Sequence, residues 1–201
     1  MSQLYIPIIG VMSAGKSNFL NAFLGIDVLQ TGSSTTTKFV CLIKNCNYTS
    51  FYHVIPEKKN GCLVFNKEGN EISNSEDIKK KIISINKELD KKVNKNRNDI
   101  FFCLEIPIKN KQICELLGKY IFMDIPGLNE YKENYIQEIF SLISLDDIFF
   151  EIIIFNSQEG FGGVEMINII NQLKNKNCLK KKNNLYILNK IDKCSNVENS
   201  I

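Results

Sequence analysis

The sequence predicts an α/β fold, a mostly parallel sheet flanked by helices. Six apolar runs rich in β-branched and aromatic residues lie at 4–10, 39–43, 101–107, 119–123, 148–155 and 185–188, and the all-apolar ones suit strands covered on both faces. Segments of helical periodicity separate several of them, the alternation from which parallel sheets are built. A glycine-rich turn, "GVMSAGKS" at 10–17, joins the first run to a helix over Asn18–Leu24.

Taken in order, the run at 4–10 is a strand ending on that turn, and "LQTGSSTTTKFVCLI" leads into the second strand. "SFYHVIP" alternates as a strand does and carries His53, the single histidine. With no cysteine or carboxylate at metal-ligand spacing, His53 is assigned to packing. The clearest helix spans 76–94, where Ile78, Ile82, Ile85, Leu89 and Val93 recur at three- and four-residue steps behind Ser73 and Glu76, spaced as a capping box. Its other face carries Lys79, Lys80, Lys81, Lys87, Lys91 and Lys92, read as a solvated face in preference to a lipid-binding one. Two further helices fit 132–144, with Ile136, Ile139, Phe140 and Ile143 on one face, and 162–175, with Val164, Ile167, Ile170 and Leu173. The Lys- and Asn-biased segments 66–77, 91–99 and 173–184 read as surface loops within one domain.

Composition sets outer bounds. With 201 residues, 44% of them hydrophobic and 23% charged, the chain can bury one sizeable core. The net charge of +3 comes without an Arg-rich face, so nucleic acid is not an expected partner. Seven cysteines without a CxxC pair read as reduced, mostly buried thiols in a cytoplasmic protein. Neither "LYIPIIGVM" nor "IFFEIIIF" is long enough to span a bilayer, and the first lacks the basic flank and cleavage site of a signal peptide.

The chemistry lies at the ends of the runs. Residues Gly10 to Ser17 match GxxxxGK[ST] between a strand and a helix, the context a phosphate-binding loop requires, so the fold reads as P-loop NTPase-like. Gly10 and Gly15 let the backbone curl its N–H groups toward phosphate oxygens, at the positive end of the following helix. The loop residues Gly10, Ser13, Ala14, Gly15, Lys16, Ser17 and Asn18 are the candidates for this contact. Lys16 reaches the terminal phosphates and Ser17 ligates Mg²⁺. "DIPG" puts Asp124 at a strand end, where it reaches the Mg²⁺ shell through water, and Gly127 three residues on, where its amide senses a γ-phosphate. "NKID" ends another strand, and the Asp192 carboxylate can accept two hydrogen bonds from guanine N1–H and N2, which adenine does not offer. At about 1.5–3 kcal/mol per charge-assisted bond, losing both costs ~3–6 kcal/mol, enough to separate GTP from ATP. Asn189 supports the loops around the base and the Lys190 stem lies on its face. Of Thr35, Thr36 and Thr37, Thr37 is the first choice to add a hydroxyl to Mg²⁺ and Thr36 the alternative, while all three also read as ordinary threonines entering a strand.

Between Lys16 and Asp124 the chain advances 108 positions, so an insertion including the 76–94 helix separates the first and second switch regions. With "SAGKS", "DIPG" and "NKID", this enlargement resembles the GTPase domain of the dynamin superfamily over almost the whole chain. The guanylate-binding and atlastin branch fits less well, because it uses an Arg-Asp pair where this chain has NKxD. The resemblance implies GTP hydrolysis stimulated by a nucleotide-dependent homodimer formed across the GTPase faces, commonly at a membrane surface. It also implies that Ser13 helps hold the catalytic site and a monovalent cation, and that Thr37 positions the attacking water. By the same resemblance, "NSQEGFGG" at 156–163 lies where the family contacts the partner domain, though a helix-entry turn explains its glycines as well. Met12 stands where dynamins commonly carry glutamine, and a thioether cannot orient water by hydrogen bonding. Residues 1–201 accordingly read as a single dynamin-type GTPase domain lacking the last guanine motif and the stalk. The leading expectation is a GTP-hydrolysing enzyme. A GTP-dependent switch or pseudo-GTPase with little turnover is the alternative, and an ATPase or kinase must treat NKID as accident.

Overall fold

The computed structural model describes residues 4–32, 37–91, 100–118, 120–128, 139–143, 145–157, 164–175 and 184–190. Eight strands form one sheet: β1 Leu4–Ile9, β2 Val40–Asn45, β3 Ser50–Lys59, β4 Cys62–Ile72, β5 Phe101–Ile106, β6 Tyr120–Asp124, β7 Glu151–Asn156 and β8 Asn184–Asn189. Among the described residues the α-helices with defined bounds are α1 Lys16–Leu24, α2 Ser75–Lys91, α3 Lys111–Leu117 and α4 Val164–Asn175. Strand order across the sheet is β4-β3-β5-β2-β6-β1-β7-β8.

The half built from β6, β1, β7 and β8 is wholly parallel, so its four C-terminal ends share one edge of the sheet. Strand β2 lies antiparallel to β6, with Cys41 opposite Asp124. This reversal brings the start of β2, and the segment before it, to the same edge. Beyond β2 the sheet continues through the parallel partner β5 and then the antiparallel β3 and β4. Tyr5, Ile6, Ile8 and Ile9 of β1 and Leu42 and Ile43 of β2 are fully buried, as strands sandwiched between layers must be.

Strand β4 corrects the reading of 66–77 as a surface loop, since the ladder with β3 runs from Lys59–Cys62 out to Phe51–Ile72. The strand reads as polar because it is the sheet's edge, exposed along most of its second half. Asn60 and Gly61, at φ 53° and 83°, form its hairpin turn. Helix α2 buries Ile78, Ile82, Ile85 and Leu89 as its periodicity requires, each worth about 1.5–3 kcal/mol when fully removed from water, while 92–94 of the expected helix, with Lys92 and Val93, lie outside the described residues. Its cap is not the Ser73–Glu76 box: Asn74 Oδ1 accepts from the amides of Glu76 and Asp77 at 2.9 and 3.2 Å. Among its lysines, Lys79 pairs with Asp27 and Lys80 with Asp77, in keeping with a solvated, ion-paired face. Helix α3 was not anticipated; Asn110 caps it in the same manner. Helix α4 turns Met166, Ile170 and Leu173 to the core and leaves Ile167 39% exposed, a correction to the expected face. Of the helix expected at 132–144, residues 139–142 are helical with Ile139 and Phe140 buried, and 132–138 and 144 lie outside the described residues.

His53 packs its ring on Phe102 and accepts or donates one hydrogen bond with Glu68 at 2.7 Å, the packing role expected for it. Cys41 and Cys103 are buried free thiols, whereas Cys62 is exposed. No helix among the described residues is long and apolar enough to cross a membrane.

Candidate functional site

Three chain segments and Thr37 meet where the parallel strands end. From β1 the chain turns through Gly10, and a Cβ there would lie 2.7 Å from the Ile154 carbonyl oxygen, which belongs to a core strand and cannot give way. Ser13 and Gly15 take left-handed φ values of 58° and 92°, curling the loop into α1. The Lys16 side chain is only 7% exposed. Its ammonium donates to the carbonyls of Gly10 and Val11, both at 3.1 Å, and so lies within the ring of the loop.

Directly after Lys16, Ser17 Oγ donates to Asp124 Oδ2 at 2.6 Å and lies 2.9 Å from Thr37 Oγ1. Thr37 also donates to the same carboxylate oxygen at 3.3 Å. The other oxygen, Asp124 Oδ1, is buried without a hydrogen-bond partner among the described residues. Burial pushes the Asp124 carboxyl above the ordinary carboxylate range, while the Lys16 charge and the Ser17 and Thr37 hydroxyls pull it back. Two hydroxyls and a carboxylate with an orphaned oxygen form an all-oxygen donor set, which suits a hard divalent cation such as Mg²⁺. Past Asp124, buried Gly127 is followed by Leu128, whose amide donates to the Gly10 carbonyl at 3.2 Å and ties this segment to the loop.

Strand β8 delivers the third segment. Asn189 Nδ2 donates to the Ala14 carbonyl at 2.9 Å, so the start of the NKxD stretch touches the 10–17 loop. Ser157, at the end of β7, was not anticipated as part of the site. Its amide donates to the Asn189 carbonyl at 2.9 Å and its hydroxyl to the Lys190 carbonyl. Parallel pairing of β7 with β8 places it there. Cys41 is a second unanticipated neighbour, its thiol held protonated by burial and by the Asp124 charge. Of the expected site residues, Asn18 is exposed on the first turn of α1 and Lys190 has φ 60°. Thr35, Thr36 and Asp192 lie outside the described residues, as do 158–163 of the expected partner-contact loop.

Gly15 offers a local test. A Cβ there would lie 2.2 Å from Asn189 Nδ2, on a backbone of φ 92°. Gly15→Ala is expected to cost about 2 kcal/mol, from the left-handed backbone and the broken bond to Ala14. Urea denaturation at unchanged m-value measures it.

A sequence model of the Dynamin family matches residues 6–191. The chain belongs to the dynamin family. This dynamin-family GTPase domain, a GTP-binding fold, is also similar to a solved bacterial structure, an oligomerised dynamin pair described as providing a mechanism for the long-range sensing and tethering of membranes. The match has a TM-score of 0.59 at 22% identity and covers 96% of this chain and 27% of that one. A second chain from the same description aligns at a TM-score of 0.43 and 16% identity, over 99% of this chain and 32% of its own. The dynamin-family chain thus spans about a quarter to a third of the length of these structures. No curated protein sequence matches it.

Proposed function

We propose that this chain binds GTP with Mg²⁺ and hydrolyses it to GDP and phosphate. The observation that carries the reading is the meeting of Ser17, Thr37 and Asp124 within 2.6–3.3 Å beside the Lys16 loop. Loop N–H groups from Ser13 to Ser17 cradle the phosphates at the start of α1. Lys16 turns from the Gly10 and Val11 carbonyls to the β- and γ-phosphate oxygens. The Ser17 and Thr37 hydroxyls would hold Mg²⁺, with Thr36 as the alternative to Thr37, and the Asp124 carboxylate would reach it through water; when bound, the ion supplies neutralisation of charge on the phosphates. Thr37 positions the water that attacks the γ-phosphorus, and the Gly127 amide meets the γ-phosphate. Asn189, Lys190 and Asp192 take the guanine. Ser13 helps hold the catalytic site, together with a monovalent cation.

The dynamin family and the described membrane tethering of the bacterial pair support a homodimer through the GTPase face, working peripherally at a membrane from the cytoplasmic side. The chain then serves as the GTPase domain of such a machine. Purified protein is expected to release phosphate from GTP and not from ATP, with a rate per molecule that rises with protein concentration. Asp192→Asn is expected to shift the preference to xanthosine triphosphate, by about a hundredfold or more. Equal turnover of GTP and ATP refutes the guanine assignment.

One observation favours a second reading, a GTP-dependent switch with little turnover. Met12 sits on the loop 45% exposed, and its thioether cannot orient an attacking water. Tight GTP binding with no phosphate release at any protein concentration selects this reading.

A further inference from the structure

Helix α2 holds the chain at Gln30 and Lys38, described residues on either side of the proposed first switch. Asn86 faces inward on that helix at 8% exposure, among Ile82, Ile85 and Leu89. Its Oδ1 accepts from the Lys38 backbone amide at 2.9 Å, and its Nδ2 donates to Gln30 Oε1 at 2.7 Å. One amide group thus spans residues 30 and 38. Asp90, one turn further along the helix, adds an ion pair with the Lys38 ammonium at 3.3 Å, and Lys79 pairs with Asp27 at 2.8 Å.

Lys38 follows Thr37 directly, and Thr37 Oγ1 must lie within hydrogen-bond reach of both Ser17 and Asp124. A fixed Lys38 amide restricts the Thr37 φ and ψ and therefore where its hydroxyl can point. A buried asparagine on an otherwise apolar helix face is costly unless both halves of its amide are satisfied, and here both bonds go to the switch segment. Aliphatic residues at that helix position would serve packing alone.

We infer that Asn86 is a positioning residue, which sets the Thr37 hydroxyl at the Ser17–Asp124 cluster and so couples the insertion to GTP. This rests on the reading of the site as a GTP·Mg²⁺ site. A rigid tether of this kind acts on the Mg²⁺- and γ-phosphate-dependent part of binding and leaves the loop contacts shared by GDP and GTP alone.

The test compares the unsubstituted chain with Asn86→Ala and Asn86→Asp. Three measurements are made: amide hydrogen exchange at Lys38, affinity for fluorescent GDP and GTPγS with magnesium, and GTP turnover. Asn86→Ala is expected to speed exchange at Lys38 and to lower kcat about ten- to a hundredfold. It should also weaken GTPγS at least tenfold while GDP affinity stays within about threefold. Asn86→Asp keeps an acceptor for Lys38, and the Gln30 amide can turn to donate to it, so most of the loss is recovered. In a Thr37→Ala background, Asn86→Ala adds less than about twofold, because its effect passes through Thr37. Lys80→Ala, on the exposed face of the same helix, leaves all three measurements unchanged.

Additive losses in the double variant, equal weakening of GDP and GTPγS, or unchanged GTPγS affinity and turnover despite faster Lys38 exchange would overturn the inference. A chain that binds GDP and GTPγS normally but ignores Asn86 sinks this inference only. An unsubstituted chain with no guanine nucleotide affinity sinks the site reading first.

Discussion

Lys16→Ala is expected to abolish GTP turnover while leaving a folded chain. The ammonium lies inside the phosphate loop on two carbonyls, each 3.1 Å away, and is the cation whose charge pulls Asp124 back toward ionisation. Replacing it removes two charge-assisted bonds to phosphate oxygens, at ~1.5–3 kcal/mol each, which amounts to roughly a hundredfold to ten-thousandfold in triphosphate affinity. A second effect runs in the same direction, because Asp124 without Lys16 is held protonated to higher pH and offers less to Mg²⁺. Equilibrium titration with a fluorescent GTP analogue separates the two: raising the pH restores the part due to Asp124 and leaves the part due to the missing ammonium. Turnover within tenfold of the unsubstituted chain would remove Lys16 from the site.

The convergence of the 10–17 loop, DIPG and the first two residues of NKID was legible because each stretch sits at a strand end, and parallel strands bring their C-terminal ends to one edge. Position before a strand points to Thr35, Thr36 and Thr37 together, and residue type does not separate them. What puts Thr37 near Asp124 is the reversal of β2 against β6, with Cys41 opposite Asp124, and strand direction is not written in an apolar run. Strand β4 escaped notice because a sheet edge need not alternate in polarity, although Asn60–Gly61 carried the hairpin signal. Asn86 was illegible for a different reason. On a helix of apolar period it reads as a polar intrusion, and only the fold shows that Gln30 and Lys38 complete its amide. Ser157 reaches the end of β8 through parallel pairing of β7 with β8, a contact between residues 32 and 33 positions apart.

The site's two demands on Asp124 oppose one another, and Asp124→Asn separates them. Its carboxyl is fully buried, one oxygen without a partner among the described residues, and burial raises its affinity for a proton above that in the unfolded chain. A carboxylate whose pKa is raised on folding contributes most to stability below its unfolded pKa, and that contribution is lost as pH rises through the higher folded value. At neutral pH without magnesium or nucleotide, above the unfolded value, burial of this carboxyl therefore counts against the fold. Asparagine keeps an acceptor for Ser17 and Thr37 and carries no charge. The variant should melt at a higher temperature than the unsubstituted chain at neutral pH, where each kcal/mol moves the midpoint by about 2–4 °C. The difference should shrink as pH falls toward the carboxylate range. Added Mg²⁺ and GTP should reverse the order, because the outer-sphere carboxylate is worth about ten- to a hundredfold in metal affinity or activity. Thermal denaturation across a pH series, with and without Mg²⁺ and GTP, reads both signs. If Asp124→Asn melts lower at neutral pH in the absence of both ligands, attraction to Lys16 outweighs the cost of burial, and the carboxylate is first of all a structural counter-ion to Lys16.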